Sequence, residues 1–234
     1  YQNRLNLMKK VFDCFLYDGE KDLLKLRLIY NLDFVYKFIL VQSEVSFQGE
    51  FSIDNLITYD EIISWDKKLI EKLELITLKS SDFINAKYPY QREVISRSAF
   101  SLCYKYANEN DFILLSDVDE IIDIKKLLAK NLSNKYIYNL GIYFSYFSCN
   151  YICINSPWWL APMAIPYYLI KKFSLDISTL RVAGDSISSI PKNIRKKSLF
   201  YIGIHLSFLG GYDAALRKLK RYSDEPIKKE QFTK

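Results

Sequence analysis

The run from Asp111 to Glu120, Asp-Phe-Ile-Leu-Leu-Ser-Asp-Val-Asp-Glu, constrains the fold more than any other stretch of the chain. Phe112, Ile113, Leu114 and Leu115 read as a short strand covered on both faces, as in the middle of a parallel sheet. Where the apolar run ends, Ser116, Asp117, Val118, Asp119 and Glu120 follow without a break, and open α/β sheets bind ligands at the carboxyl ends of their strands. Side chains alternate along an extended backbone, so Asp117 and Asp119 are expected on one face, with Val118 turned back to the core. Such a pair suits a divalent cation, Mn²⁺ or Mg²⁺, carrying a diphosphate, because hard cations take oxygen ligands and Mg²⁺ is usually held by one or two carboxylates plus phosphates. The same acids could instead cap the helix that follows, since Asp is a favoured N-cap.

The flanking sequence supplies a sheet around this strand. Residues 10–17 read as a first strand with Asp13 inside it, and a buried Asp must be paired or put to use. Asp18-Gly19 turns the chain into a helix over about 20–30, with Leu23, Leu24, Leu28 and Tyr30 near helical spacing. The almost wholly apolar stretch 34–41 completes strand, crossover and parallel strand. Another short strand is expected over 73–78. A helix over about 90–107 places Gln91, Val94, Ile95, Ser98, Ala99, Leu102, Cys103 and Tyr106 on one face, and Arg97, Lys105 and Asn108 on the other. Beyond Glu120 come a short helix over 124–130, an aromatic, irregular sheet region over 136–168 and a helix over about 175–184. The 234 residues predict one domain, an α/β fold with a mostly parallel central sheet flanked by helices. Within it, about 8–123 would form a donor-binding half and about 124–224 an acceptor-side half.

Composition narrows the partners. The formal charge is +6, with basic clusters at 192–197 and 217–221 that read first as a solvated helix face, and otherwise suit a phosphate-rich partner or a peripheral membrane contact. No nucleic acid partner is expected. Cys14, Cys103, Cys149 and Cys153 form no Cys-x-x-Cys pair, and their apolar or aromatic settings predict buried thiols in a reducing compartment. No apolar run reaches the roughly 18 residues of a membrane span. The start does not resemble a signal peptide, so a cytoplasmic setting is expected.

Further candidates lie outside the acidic run. Arg92 falls in the first turn of the 90–107 helix, where a guanidinium and the helix N-terminus can converge on a diphosphate. Trp158 and Trp159 are either an acceptor platform or part of the core. His205 is the sole histidine; Ile202, Ile204, Leu206 and Phe208 alternate onto one face of its segment, leaving Gly203, His205 and Ser207 on the other.

These pieces together carry a resemblance. Asp13-Cys14-Phe15 with Glu20 and Asp22-Leu23-Leu24, residues 38–41 with Phe47-x-Gly49, Gln91-Arg92, residues 113–121 and the run from Gly203 to Gly211 follow the order of glycosyltransferase family 17. The chain resembles that family over nearly its whole length. The resemblance implies a GT-A-like nucleotide-sugar fold, an inverting mechanism, a UDP-sugar donor, with UDP-GlcNAc first among the candidates, and a glycan or other hydroxyl acceptor. Donor contacts are then expected at Asp13, Phe15, Gln91, Arg92, Asp117 and Asp119, with Mn²⁺ or Mg²⁺ held by Asp117 and Asp119; the aromatic setting of Trp158 and Trp159 makes them the acceptor candidates. His205 would be a third ligand or a hydrogen-bond donor to the diphosphate. An inverting transfer needs a base for the acceptor hydroxyl; Asp185, which follows Gly184 in an expected loop, comes first, then Glu120 and Asp213. Two positions depart from the family pattern: Gln42 stands where an acid is common, and Ile204 where Trp commonly precedes the histidine. Two other classes would use clustered acids or aromatic platforms. A metal-dependent phosphoryl-transfer enzyme more often shows a second metal set, and a non-catalytic carbohydrate-binding protein has no need of Asp117, Asp119 and His205 together.

Overall fold

The computed structural model describes residues 9–182 and 190–221. Its elements in order are β1 (Val11–Leu16), α1 (Lys21–Asn31), β2 (Lys37–Ser43), α2 (Tyr59–Trp65), α3 (Leu69–Lys72), β3 (Leu73–Leu78), α4 (Pro89–Ser98), β4 (Phe112–Asp117), β5 (Glu120–Ile122), α5 (Ile124–Leu128), β6 (Tyr136–Tyr146), β7 (Trp158–Trp159), β8 (Met163–Pro166), α6 (Tyr167–Phe173), α7 (Ile177–Val182), β9 (Arg195–Ser207) and α8 (Gly211–Leu219). The sheet runs β3-β2-β1-β4-β8-β6-β9-β5, with β7 beside β6. Helical crossovers join β1, β2, β3 and β4, so these four pair in parallel. β8 then enters antiparallel between β4 and β6, β9 runs parallel to β6, and β5 closes antiparallel on β9. This is the expected α/β fold, with a mostly parallel central sheet and helices on both faces.

Alternation along β1 explains how the layers form. Phe12 and Cys14 face the 3-10 turns that follow α4, and α6 and α7, where they meet Phe100, Leu169 and Leu180. Val11 and Phe15 face α1, α2 and α5, among Leu24, Leu28, Ile62 and Leu127. Each large side chain buried in these layers contributes ~1.5–3 kcal/mol. Asp13 shares the α1 side and is fully buried, so the helix packed there must supply a partner.

Several local expectations need correcting. On α1, Arg27 and Asn31 are buried at helical spacing from Leu24, while Tyr30 is half exposed. The 90–107 helix is broken: α4 ends at Ser98 and the chain continues as 3-10 turns over Ala99–Lys105. Its inward face carries Glu93, Ser96, Arg97, Phe100 and Cys103, and Leu102 is half exposed. Arg97 can turn inward because Glu93 neutralises it one turn away, with Nη2 and Oε1 2.8 Å apart. Asp123 caps α5, its side chain accepting from the Lys126 amide at 2.8 Å, which leaves Asp117 and Asp119 free of capping duty. All four cysteines are free thiols, but only Cys14 and Cys103 are buried; Cys149, in the loop after β6, is exposed, and Cys153 is partly so. Among the described residues no helix is long and apolar enough to cross a membrane.

Candidate active site

The site is built on the corner between β4 and β5. β4 ends at Asp117, and Val118 and Asp119 form a turn before β5 begins at Glu120. One side chain organises that turn. Arg27, without accessible surface, donates to both oxygens of Asp13 (2.9 and 2.5 Å), to Ser116 Oγ (2.5 Å) and to the backbone carbonyls of Asp117 and Glu120 (2.7 Å each). All five guanidinium N–H groups are thereby used, and the cation lies 4.3 Å from the Phe15 ring centre. Asp13 and Phe15 are fully buried, so they shape the corner through Arg27.

The turn corrects the expectation of two carboxylates on one face. Asp117 accepts from Arg97 Nη2 at 2.7 Å and from Arg181 Nη2 at 3.0 Å, with one oxygen given to each. Burial alone would raise its carboxyl, but the two guanidiniums hold it down at about 2. Asp119 faces another set: its Oδ2 lies 3.2 Å from His205 Nε2 and in close contact with Lys218 Nζ. Burial again opposes ionisation, and Lys218 and His205 outweigh it, keeping this carboxyl well below the usual range. The reason for the split is local. Because Arg27 grips the carbonyls on either side of the turn, Val118 is buried and Asp119 swings toward β9.

Glu120 has both oxygens engaged and no accessible surface: Oε2 accepts from the Asp117 amide at 2.8 Å, and Oε1 is in close contact with the Trp159 indole N–H and with Arg181. His205 sits across from Glu120 in the β5–β9 register and from Phe144 in the β6–β9 register. Its ring stacks on Phe144 (5.0 Å) and leans on Trp159 (4.9 Å), so its surroundings are aromatic; Nδ1 is buried, with no hydrogen-bond partner among the described residues. Gly203 permits this approach of β9 to β5, because a Cβ there would lie 2.2 Å from the Ile121 carbonyl oxygen. Trp158 belongs to the opposite face of β6, stacked on Tyr143 at 4.8 Å, whereas Trp159 meets Phe144 at 5.1 Å.

On α4, Gln91 accepts from the Lys87 and Tyr88 amides (2.7 and 3.0 Å), which caps the helix. Arg92 donates to the Phe47 carbonyl at 3.0 Å and fixes the loop after β2. It is Arg97 that reaches Asp117. Asp185 lies outside the described residues, and so does the side chain of Asp213 on α8.

A narrow pocket of about 80 Å³ opens at the carboxyl ends of β1, β2 and β4. Asp18, Glu20, Glu93, Asp117 and Asp119 line it against Arg97, Lys218 and Arg221, so its charge is net negative. A larger cavity of about 550 Å³ shares Asp18, Glu20, Lys218 and Arg221 with it. Glu20 holds its proton more readily than usual: burial raises its pKa, Lys218 at 3.7 Å lowers it and the nearby Asp119 raises it again. Among the described residues, no group of three or more His, Cys, Asp and Glu side chains gathers as a metal site. Asp119 and His205 nonetheless fit a divalent cation in chemistry, since a carboxylate oxygen and an imidazole nitrogen converge there and the Lys218 ammonium already marks that spot as favourable for positive charge. Asp117 does not fit as a direct ligand while two arginines hold both its oxygens.

Sequence reasoning missed Arg27, Arg97 and Lys218: it does not single out the first, and it assigns the other two to outward faces. A buried Asp13 asks for a cation, and Arg27 on the apolar stripe of the adjacent helix was the available signal. For Lys218 no signal existed, because its partner lies 99 residues away.

An α/β sheet whose central strand delivers an Asp-x-Asp to a charged pocket puts the candidate site where open α/β sheets bind their ligands. The sequence model of glycosyltransferase family 17 matches residues 2–158, and the chain belongs to that family. Its α/β sheet and helices are the scaffold on which that family's sequence pattern is carried. No curated protein matches it. Among solved structures it is similar to the glycosyltransferase GlyE of Streptococcus pneumoniae (12% identity, TM-score 0.40), covering 82% of this chain and 45% of that one, so the chain spans less than half of GlyE. The galactosyltransferase LgtC, in complex with donor and acceptor sugar analogues, gives 12% identity, a TM-score of 0.38 and coverage of 71% and 62%. Mannose-6-phosphate isomerase from Helicobacter pylori scores alike, with 10% identity, a TM-score of 0.40 and coverage of 86% and 98%. Likeness this distant decides nothing about the site, and the family assignment rests on the sequence model.

Proposed function

We propose that this family member is an inverting, metal-dependent glycosyltransferase that moves a sugar, GlcNAc in the first instance, from a UDP-sugar to a glycan or other hydroxyl acceptor. The observation that carries this reading is the convergence of His205 and Lys218 on Asp119, which with Lys218 lines a net negative pocket at the end of β4. A negative site takes up a dianionic diphosphate only together with added positive charge. Asp119 and His205 would hold Mn²⁺ or Mg²⁺, with Asp117 acting through water and the diphosphate completing the shell. Bound there, the cation would neutralise charge building on the leaving nucleotide.

The chain's own residues do the rest. Arg27 fixes the corner, so Asp119 meets the donor without reorganising. Arg92 holds the loop over the donor, Gln91 the start of its helix, and Asp13 with Phe15 the strand beneath. Residues about 8–123 hold the donor and about 124–224 the acceptor, with Trp159 on the His205 side as an acceptor wall and Trp158 reaching only an acceptor that extends around the sheet. A carboxylate takes the acceptor proton. Asp185 is the first choice, then Asp213; Glu120 would first have to leave Arg181 and Trp159, and Glu20 is the alternative the geometry adds.

Incubation with UDP-GlcNAc, UDP-Gal, UDP-Glc and GDP-mannose, with and without Mn²⁺, followed by assay of free nucleotide, tests the reading. Release of UDP from one donor only in the presence of metal supports it. Absence of binding to all four by thermal shift sinks it and favours a non-catalytic carbohydrate-binding role.

A further inference from the structure

Arg97 is almost completely buried, and yet among the described residues its Nη1 has no hydrogen-bond partner. The rest of the guanidinium is committed: Nε lies 2.9 Å from Glu93 Oε1, and Nη2 lies 2.8 Å from the same oxygen and 2.7 Å from Asp117 Oδ1. Leaving a buried charged donor unpaired is costly, so a guanidinium held this rigidly with one idle nitrogen in a pocket wall points to a ligand atom.

The surroundings say which part of a ligand. Arg97 lines the narrow pocket together with Leu16, Val41, Val45, Phe47 and Val118, the apolar share of a lining that also holds Ser43, Ser46 and Ser96. The Gln42 amide in the same wall is already bonded to the Ile57 backbone and to Thr77 Oγ1. The apolar share of this wall and the buried donor beside it fit a flat ring bearing an oxygen acceptor better than a diphosphate or a pyranose whose hydroxyls all need partners. The diphosphate belongs near Asp119 and Lys218, and the sugar in the larger cavity beyond Lys218.

We propose that Arg97 recognises the donor's nucleoside, Nη1 donating to a base carbonyl or ribose hydroxyl oxygen while Nη2 stays on Asp117. The inference rests on the nucleotide-sugar reading above and adds a specificity-determining residue to it. Nucleoside binding would thereby be tied to the position of Asp117, because one planar group holds both.

Calorimetry with two probes tests this, using UMP for the nucleoside and pyrophosphate with Mn²⁺ for the phosphate subsite. Arg97→Lys keeps the charge beside Asp117 and removes the fork. The variant is expected to bind UMP about tenfold or more weaker while binding manganese pyrophosphate within about twofold of wild type. Equal weakening of both probes, or unchanged UMP binding, would overturn the inference. Should the variant not fold, the guanidinium resonances of ¹⁵N-arginine-labelled wild type decide: UMP must shift the Arg97 signal and pyrophosphate must not, and the reverse pattern overturns the proposal. Wild type that takes manganese pyrophosphate but none of UMP, CMP, GMP and AMP defeats this inference alone, whereas wild type that binds no nucleotide sugar defeats the functional reading beneath it.

Discussion

Arg27 on α1 grips Asp13 on β1 through both carboxylate oxygens, at 2.9 and 2.5 Å, with neither side chain exposed. Breaking such a pair from one side leaves a buried charge uncompensated. Arg27→Met is therefore expected to destabilise the protein by about 3–5 kcal/mol in urea titrations. The double variant with Asp13→Asn should lose less than the single one, since the stranded charge is gone. A loss under about 1 kcal/mol for Arg27→Met would mean that the corner does not depend on this clamp.

Stability should fall in acid through Asp117. Its carboxyl titrates at about 2 in the folded chain, below the ordinary value, so its contribution is present in full above about pH 4 and is lost as the pH falls through the folded value. The effect is on the order of 2 kcal/mol, and Asp119, shifted in the same direction, adds to it. Urea midpoints should be nearly level from about pH 7 to 5 and drop between about pH 4 and 2, with much of that drop absent in Asp117→Asn. A drop centred near neutral pH would contradict the assignment.

Much of the sheet was legible in the sequence because its strands are short apolar runs between turn signals: Phe112 to Leu115 and the stretch Leu73–Leu78 announce themselves. The site was legible only as a place. Periodicity assigns charged residues to water, and that rule fails where acids from a strand end need partners. Arg97 and Lys218, both expected to face solvent, turn inward to Asp117 and Asp119 from segments 20 and 99 residues away. The turn at 118–119 was hidden for a related reason. Asp-Val-Asp alternates as well in a strand as in a turn, and the choice is made by Arg27, 90 residues upstream of Asp117.

Gly203 should tolerate no side chain. A Cβ there would stand 2.2 Å from the Ile121 carbonyl oxygen and 3.0 Å from Ile122 Cα, both backbone atoms that can yield only by parting β5 from β9. Gly203→Ala is expected to lower stability by about 1–3 kcal/mol and to disturb the Asp119–His205 contact. Thermal unfolding together with the His205 imidazole signals in NMR would reveal both effects, and an unperturbed histidine would refute the link.

The two tryptophans should behave differently. Trp159→Phe removes the indole N–H from Glu120 and is expected to cost about 1–3 kcal/mol and to reduce donor turnover. Trp158→Ala, on the other face of β6 against Tyr143 and Tyr201, should leave donor hydrolysis unchanged. Parallel hydrolysis assays with the two variants separate these outcomes; equal losses would place both rings at the site.

The most direct test replaces Asp119 by Asn, which keeps the shape of the turn and removes the charge facing His205 and Lys218. UDP release from UDP-GlcNAc is measured across a manganese titration for wild type and variant. Wild-type release is predicted to rise with manganese and Asp119→Asn to lose about a hundredfold or more of it together with the metal dependence. Equal release with an unchanged manganese response in the variant would contradict the role assigned to the end of β4.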